Sequence, residues 1–417
     1  MGWLIAKVLL FLLFYVHCLV HFVHGVQTTA NTETRQSGLL KQLSGHPSTE
    51  IKDWKLPNSL KYQPKATCPC DDPKWCDQIE KTYEKELFVF ATRNDSNHWM
   101  KFDWSKITTV VLFGFMDHKL VCYAHKHGAR AVTLGKISWR ICTLSMLSTR
   151  TSWVKTTVSF IQDNYLDGVN FDIEEPIAKN DTRRINALTA LVAETSGVLK
   201  RLSPHYQVTY DVAWSPDCID GRCYDIVSLS KAADFLFVMS YDEQSQILGD
   251  CIAKANSGFS KTIGGIKNFV SIGIKLEQLV LGLPWYGYDY ECITLTKDNV
   301  CTIPHVPFRG INCSDAAGRQ VNSFDIIPRV DTSVSGRLWD DKSLSPYFNY
   351  KDAKTGKMHQ VWYDDPVSLK LKYDYAVQLG MRGVGMWHAD SLDYTDTAIG
   401  IEERIATWAI LPDYGKV

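Results

Sequence analysis

The chain has 417 residues, 45% of them hydrophobic, and a formal net charge of −1. At about 100–200 residues per domain, that length allows two or three domains, although a barrel of this size folds as one. A charge so near neutral supplies no basic face for nucleic acid or for an anionic membrane surface, and both are excluded as partners.

The N-terminus reads MGWLIAKVLLFLLFYVHCLVHFVHG. Lys7 precedes an apolar run over 8–23, broken by His17 and His21. The pattern is that of a secretory signal peptide over 1–25, with an uncleaved signal-anchor helix as the alternative. Residues 26–67 are polar and aperiodic, and read as a disordered leader. Nothing after it resembles a membrane span.

Eleven cysteines follow Cys18, an odd number that leaves at least one thiol unpaired or paired between chains. Cys68, Cys70 and Cys76 have the spacing of a metal knuckle, but no second Cys/His cluster accompanies them. Cys218 with Cys223, and Cys292 with Cys301, are candidate short-loop disulfides; the connectivity is otherwise open. Sequons at Asn94, Asn180 and Asn312 fit glycosylation on a secretory route. No sequence feature offers a metal or an organic cofactor.

From residue 86 short apolar runs recur. They lie at 86–91, 107–114, 129–135, 167–174, 207–214, 234–242, 278–286 and 383–390. Helical patterns separate most of them, at 119–127, 152–164, 182–202, 225–233, 262–274 and 365–379. Strands alternating with helices imply parallel βαβ units, and eight of them imply an α/β fold, the closed (β/α)8 TIM barrel. An open doubly wound sheet lacks support, because no glycine-rich phosphate loop follows the first run. Residues 289–364 are too many for a loop and predict a small α+β insertion between strands 7 and 8. Residues 136–148 are apolar where a loop after the third strand should be polar.

The fourth run reads LDGVNFDIE. In a strand Gly168, Asn170, Asp172 and Glu174 share one face, and Val169, Phe171 and Ile173 the other. The apolar set suits the helix layer, so the polar set faces the barrel axis and ends at the C-terminal rim, where active sites of this fold lie. Three such groups side by side predict a hydrogen-bonded chain Asn170–Asp172–Glu174. Two coupled carboxyls predict that one pKa is raised, which suits a general acid. The competing explanation is a cluster of capping acids at a strand–helix turn.

LDGVNFDIE resembles the signature of glycoside hydrolase family 18. Met239-Ser240-Tyr241-Asp242, Leu283-Pro284-Trp285-Tyr286-Gly287, 363–370 and Gly385-Met386-Trp387 resemble other pieces of that family in the expected order, from about residue 68 onward. Stretches at 68–70, 121–125, 211–216, 235–246, 284–290 and 313–320 narrow the resemblance to enzymes that split the di-N-acetylchitobiose unit of asparagine-linked glycans, releasing its reducing-end N-acetylglucosamine. Residues 26–67 and 136–148 have no counterpart in that likeness.

The resemblance implies a retaining mechanism in which the substrate's acetamido group is the nucleophile. Glu174 is then the acid and base, Asp172 holds the acetamido N–H, Tyr241 orients its carbonyl, and Asn170 hydrogen-bonds Asp172. For substrate binding it implies Asp242 on a sugar hydroxyl, Trp387 as apolar floor, Met239 beside it, and Tyr286 at the rim. The implied partners are N-acetylglucosamine oligomers, and the implied protein is a lysosomal or secreted monomer. The alternatives are an endo-acting chitinase of the family and an inactive chitinase-like lectin, which would lack the closing Glu.

Overall fold

A computed structural model describes residues 67–135, 137 and 141–415. The expected signal segment lies outside the described residues, as does the leader except residue 67. So do residues 136 and 138–140 of the apolar stretch.

Eight strands form a closed parallel barrel. They are β1 (Glu86–Ala91), β2 (Thr109–Leu112), β3 (Arg130–Leu134), β4 (Gly168–Phe171), β5 (Gln207–Ala213), β6 (Phe235–Met239), β7 (Leu279–Pro284) and, closing onto β1 and β7, β15 (Gly383–Trp387). The main outer helices are α1 (His118–Lys126), α2 (Leu147–Asp163), α3 (Thr182–Leu202), α4 (Ile226–Ala232), α5 (Phe259–Ser271), α7 (Pro366–Gln378) and α8 (Ala398–Ala409). All eight expected strands are present. The interior is divided by chemistry. Phe88, Phe90, Val111, Val132, Phe235, Phe237 and Val280 pack as one apolar cluster, whereas β4 and β5 bring Asn170, Thr209 and Asp211 together as a buried polar one. Two glycines make room for the large rings. A Cβ at Gly282 would meet the Phe237 ring at 2.1 Å, and one at Gly385 would meet the same ring at 2.8 Å and the Phe88 carbonyl oxygen at 2.2 Å.

Most boundaries shift by a few residues from the sequence reading, and two of the shifts bear on the site and the segment before it. Helix α2 begins at Leu147, not 152, after a short 3-10 turn at Ile141–Ser145. Strand β4 ends at Phe171, not at residue 174. Beyond Phe171 side chains replace the ladder: the Tyr210 and Tyr224 hydroxyls donate to the Ile173 carbonyl at 3.2 and 3.0 Å. Asp172 and Glu174 therefore leave the strand on separately held backbone.

The expected insertion is present and begins slightly earlier, at β8. It contains β8 (Tyr286–Glu291), β9 (Thr294–Leu295), β10 (Cys301–Thr302), β11 (Gly318–Asn322), β12 (Leu338–Asp340), β13 (Ser345–Lys351), β14 (Met358–Trp362) and one helix, α6 (Ser323–Val330). Five of these strands make an antiparallel sheet in the order β11-β8-β14-β13-β12. Disulfides join Cys68–Cys76, Cys70–Cys122, Cys218–Cys223, Cys251–Cys313 and Cys292–Cys301. Both candidate short-loop pairs occur, and the knuckle cysteines are all disulfide-bonded. Among the described residues no helix is long and apolar enough to cross a membrane.

Below the barrel a buried ion pair ties the first disulfide-bonded segment to β3 and β4. The Asp167 carboxylate accepts from the Ile79 and Ala131 N–H groups at 2.9 and 2.8 Å and from His125 Nε2 at 2.7 Å. His125 Nδ1 lies 2.7 Å from the Trp75 carbonyl, which can only accept. Both ring nitrogens therefore donate, and the ring is an imidazolium. Burial works against that charge, but Asp167 and the two hydrogen bonds outweigh it and the His125 pKa is raised. A raised histidine pKa contributes stability that is complete below the unfolded value, about 6.5, and is lost as pH rises through the folded value. Removing one partner of a buried pair costs about 3 kcal/mol. In denaturant unfolding, His125→Gln is expected to lose stability of this order at pH 5 and distinctly less at pH 8.

Candidate active site

The C-terminal ends of β4, β5 and β6 meet at one side of the barrel mouth. Asn170 is fully buried, and its amide donates to Thr209 Oγ1 at 3.0 Å and to Asp211 Oδ1 at 2.7 Å. The expected Asn170–Asp172 bond is not formed. Asn170 turns instead to the neighbouring strand, where Thr209 is its ladder partner and Asp211 stands two residues further on the same face, while Asp172 has left the ladder. Asp172 Oδ1 and Asn170 Oδ1 have no hydrogen-bond partner in the protein.

Burial is the main force that raises the Asp172 pKa to about 7; the Glu174 charge adds to it and Arg222 opposes it. Asp211 is pushed well above the usual carboxylate range, by burial first and then by Asp172, with the Asn170 hydrogen bond opposing. Glu174 stands at the surface, its side chain 53% exposed, and is ion-paired with Arg222 Nη1. The polar chain thus does not run along one strand. It crosses from β4 to β5, and a guanidinium holds its outer end.

Tyr241 and Asp242 follow β6. Tyr241 is buried, and burial together with Asp211 and Asp172 keeps its phenol protonated. Asp242 has φ of 51°, a left-handed conformation uncommon for a non-glycine residue. Its N–H donates to Asn256 Oδ1 at 2.8 Å, and its Oδ1 accepts from the Tyr286 and Tyr288 hydroxyls at 2.5 and 3.1 Å. Burial raises its pKa to about 6 against those two bonds. Tyr286 is therefore not a rim residue. It is 4% exposed and supports Asp242 from behind, because β8 turns its ring inward.

A cleft of about 210 Å3 opens here, with Glu174, Met239, Tyr241 and Asp242 on its wall. Trp214, Asp220 and Arg222 come from beyond β5, and Tyr288, Phe308 and Asp315 from the insertion. Trp387 ends β15 outside that lining, edge-on to Phe113 at 4.6 Å and to Phe90 at 5.3 Å. Asn94, Asn180 and Asn312 are all exposed.

Sequence reasoning missed Asp211, Arg222, Asp220 and Asp315. The only signal for Asp211 was its parity with Gln207 and Thr209 on the fifth strand, inward like Asn170. Arg222 and Asp220 lie inside a short Cys–Cys loop whose closure pointed to a rigid element. Asp315 lies in the stretch 313–320 that helped to narrow the resemblance, but nothing local tied it to Asp242, since the insertion alone brings the two together.

A family model described as glycosyl hydrolases family 18 matches residues 142–391. The chain is 44% identical over 368 residues to the di-N-acetylchitobiase of Homo sapiens, covering 88% of this chain and 94% of that protein. It is 46% identical over 344 residues to the di-N-acetylchitobiase of Mus musculus, covering 82% and 92%. Among solved structures, the C-terminal domain of a putative chitinase from Desulfitobacterium hafniense superimposes with a TM-score of 0.63 at 19% identity, over 79% of this chain and 99% of that one. A chitinase from Cycas revoluta in complex with (GlcNAc)3 gives 0.61 at 16%, over 78% and 99%. These two likenesses concern the fold.

Burial of acids at the cleft has a cost to stability. Asp315 is raised to about 7, by burial first and then by Asp242. A carboxyl with a raised folded pKa destabilises the native state progressively as pH rises from its unfolded value, about 3.9, towards the folded one. Asp315→Asn should therefore stabilise the protein at pH 8, by on the order of 2 kcal/mol, and leave stability at pH 4 nearly unchanged. Denaturant unfolding of both proteins at the two pH values measures the difference.

Proposed function

The chain belongs to the glycosyl hydrolases of family 18 and is a chitin-type glycosidase. On that premise we propose that it cleaves the β-1,4 bond of di-N-acetylchitobiose units, releasing the reducing-end N-acetylglucosamine in the lysosomal breakdown of asparagine-linked glycans. The observation that carries this reading is the placement of Asp172 and Glu174 just beyond β4, with one buried Asp172 oxygen unpartnered in the protein and Glu174 and Tyr241 lining the same cleft. Relatives named di-N-acetylchitobiase, matched over most of their length, support the substrate.

The steps follow from these groups. Glu174 gives its proton to the glycosidic oxygen, and the bond from that oxygen to the anomeric carbon breaks. The acetamido carbonyl oxygen forms the new bond to the anomeric carbon, giving an oxazolinium ion, and the reducing-end sugar leaves with the proton. The free Asp172 oxygen accepts the acetamido N–H, and once the proton held by the Asp172–Glu174 pair sits on Glu174 for transfer, the Asp172 carboxylate offsets the developing positive charge. The Tyr241 hydroxyl orients the acetamido carbonyl. Water then gives a proton to Glu174 and its oxygen to the anomeric carbon, and the ring opens with net retention. Asn170 acts through Asp211 and not by a bond to Asp172. Asp172 keeps its own proton below about pH 7, so the Asp172–Glu174 pair is supplied with one in an acidic compartment. Asp242 is the hydroxyl-binding group of the cleft wall, Met239 lies beside it, and Trp387 extends the apolar surface behind them.

Glu174→Gln is expected to lower kcat by at least about a hundredfold, since general acid catalysis contributes about 10²–10⁴-fold, with KM little changed. Steady-state kinetics on free di-N-acetylchitobiose give both constants. Tight binding of the disaccharide by the wild-type protein with no turnover would instead identify a lectin.

A disaccharide whose attacked residue carries a free amine has no internal nucleophile. It should bind and turn over very slowly, and a thiazoline mimic of the oxazolinium should inhibit. Product analysis on free and reducing-end-blocked oligomers, acetylated and de-acetylated, tests this together with the site of cleavage. Efficient hydrolysis of the amine sugar would sink the substrate-assisted mechanism, and mid-chain products would move the reading to an endo-acting chitinase.

A further inference from the structure

Glu174 is bracketed by one short loop. The Cys218–Cys223 disulfide closes it, and within it Cys218 and Asp220 hold left-handed backbone at φ of 54° and 55°. Such conformations persist at non-glycine residues only where the surroundings over-determine them. The surroundings here are the segment that carries Glu174. The Ile177 N–H donates to the Gly221 carbonyl at 3.0 Å, and the Cys223 N–H to the Ile177 carbonyl at 3.2 Å. Next to the loop, the Tyr224 hydroxyl lies 3.0 Å from the Ile173 carbonyl and 2.5 Å from that of Glu175, the two carbonyls flanking Glu174.

From this frame the loop extends Arg222. Its Nη2 donates to Asp220 Oδ2 at 3.0 Å, its Nε to the Ile219 carbonyl at 3.4 Å, and its Nη1 to Glu174 Oε2. Asp220 also accepts from the Ser245 hydroxyl at 2.8 Å, which anchors the loop to the segment after β6. The Arg222 side chain is 9% exposed and that of Glu174 53%. The guanidinium is thus the buried, loop-held member of the pair and the carboxyl the exposed one. Only the contact to Glu174 leaves the loop, so the other two orient the fork towards it.

We propose that Arg222 is a positioning residue for Glu174, and that the disulfide-closed loop delivers it. The inference rests on the acid–base reading of Glu174 given above. Once Glu174 has given its proton to the leaving oxygen it is a carboxylate, and the Arg222 fork is the counter-charge that holds it in place until water attacks. When water returns a proton to Glu174 and its oxygen bonds to the anomeric carbon, the attraction weakens and the carboxyl is released for the next cycle. A lysine cannot replace this arrangement, because an ammonium lacks the planar fork that engages Asp220 and Glu174 together.

The test is hydrolysis of free di-N-acetylchitobiose by the full-length protein carrying Arg222→Ala, Arg222→Lys or Glu174→Gln. Arg222→Ala is expected to lower kcat roughly tenfold to a hundredfold with KM within about threefold. Added guanidinium ion should restore several-fold of the lost kcat, and methylammonium should not. Arg222→Lys should stay well below the wild type, and it carries the test if the alanine variant does not fold. Wild-type kcat in either Arg222 variant overturns the proposal. So does a loss in Arg222→Ala that guanidinium leaves untouched, which is the signature of a purely structural role. The Glu174→Gln arm separates the two readings. An inactive Glu174→Gln beside a fully active Arg222→Ala removes only the positioning role, whereas an active Glu174→Gln removes the acid–base reading and the proposal with it.

Discussion

Carboxyl groups at the mouth of this barrel are held away from water with little opposing charge. Asp172, Asp211, Asp242 and Asp315 are all raised above the usual carboxylate range, and burial is the largest cause for each. Among the described residues that line the cleft, Arg222 is the one cation. The local structure is organised around that imbalance. Tyr286 and Tyr288 donate to Asp242, Asn170 donates to Asp211, and one Asp172 oxygen is left with no partner in the protein. A group held in this state interacts strongly with whatever charge or donor a substrate brings, because little solvent screens it.

The two ends of the barrel treat buried charge in opposite ways. At the lower end Asp167 accepts three hydrogen bonds and faces an imidazolium. Nearby Glu86 is surrounded by Arg130, Arg382 and the Thr108 hydroxyl. These charges are paired and serve to lock strands and the N-terminal disulfide segment together. At the upper end the charges are acidic, crowded and incompletely paired. In this fold the lower face maintains the scaffold and the upper face carries chemistry, and here the supply of opposing charge marks the division.

The insertion and the loop after β5 complete the cleft from opposite sides. The insertion is held by the Cys251–Cys313 and Cys292–Cys301 disulfides and contributes Tyr288, Phe308 and Asp315. The loop after β5 is closed by Cys218–Cys223 and contributes Asp220 and Arg222. In both cases covalent closure fixes irregular backbone where strand hydrogen bonds end, so that the side chains meet the barrel residues at defined positions.

Much of the barrel could be read from the chain because period-2 and period-3.6 patterns are local, and local patterns survive without knowledge of partners. The eight strands and the helices between them followed from short contiguous stretches, whereas Tyr241 and Asp242 were singled out only by resemblance to a family motif. Strand parity also put Asn170 inside. It did not say which neighbour Asn170 would bond, since that depends on the register of β4 against β5, and register is a relation between segments about forty residues apart in the chain. The same limit hid the Arg222–Glu174 pair, the approach of Asp315 to Asp242, and the turn of Tyr286 from rim to support. The chain by itself determined which residues are polar and face inward. Only the closed barrel, by stopping β4 at Phe171 and bringing the loop after β5 and the insertion to its end, decided which of those groups touch.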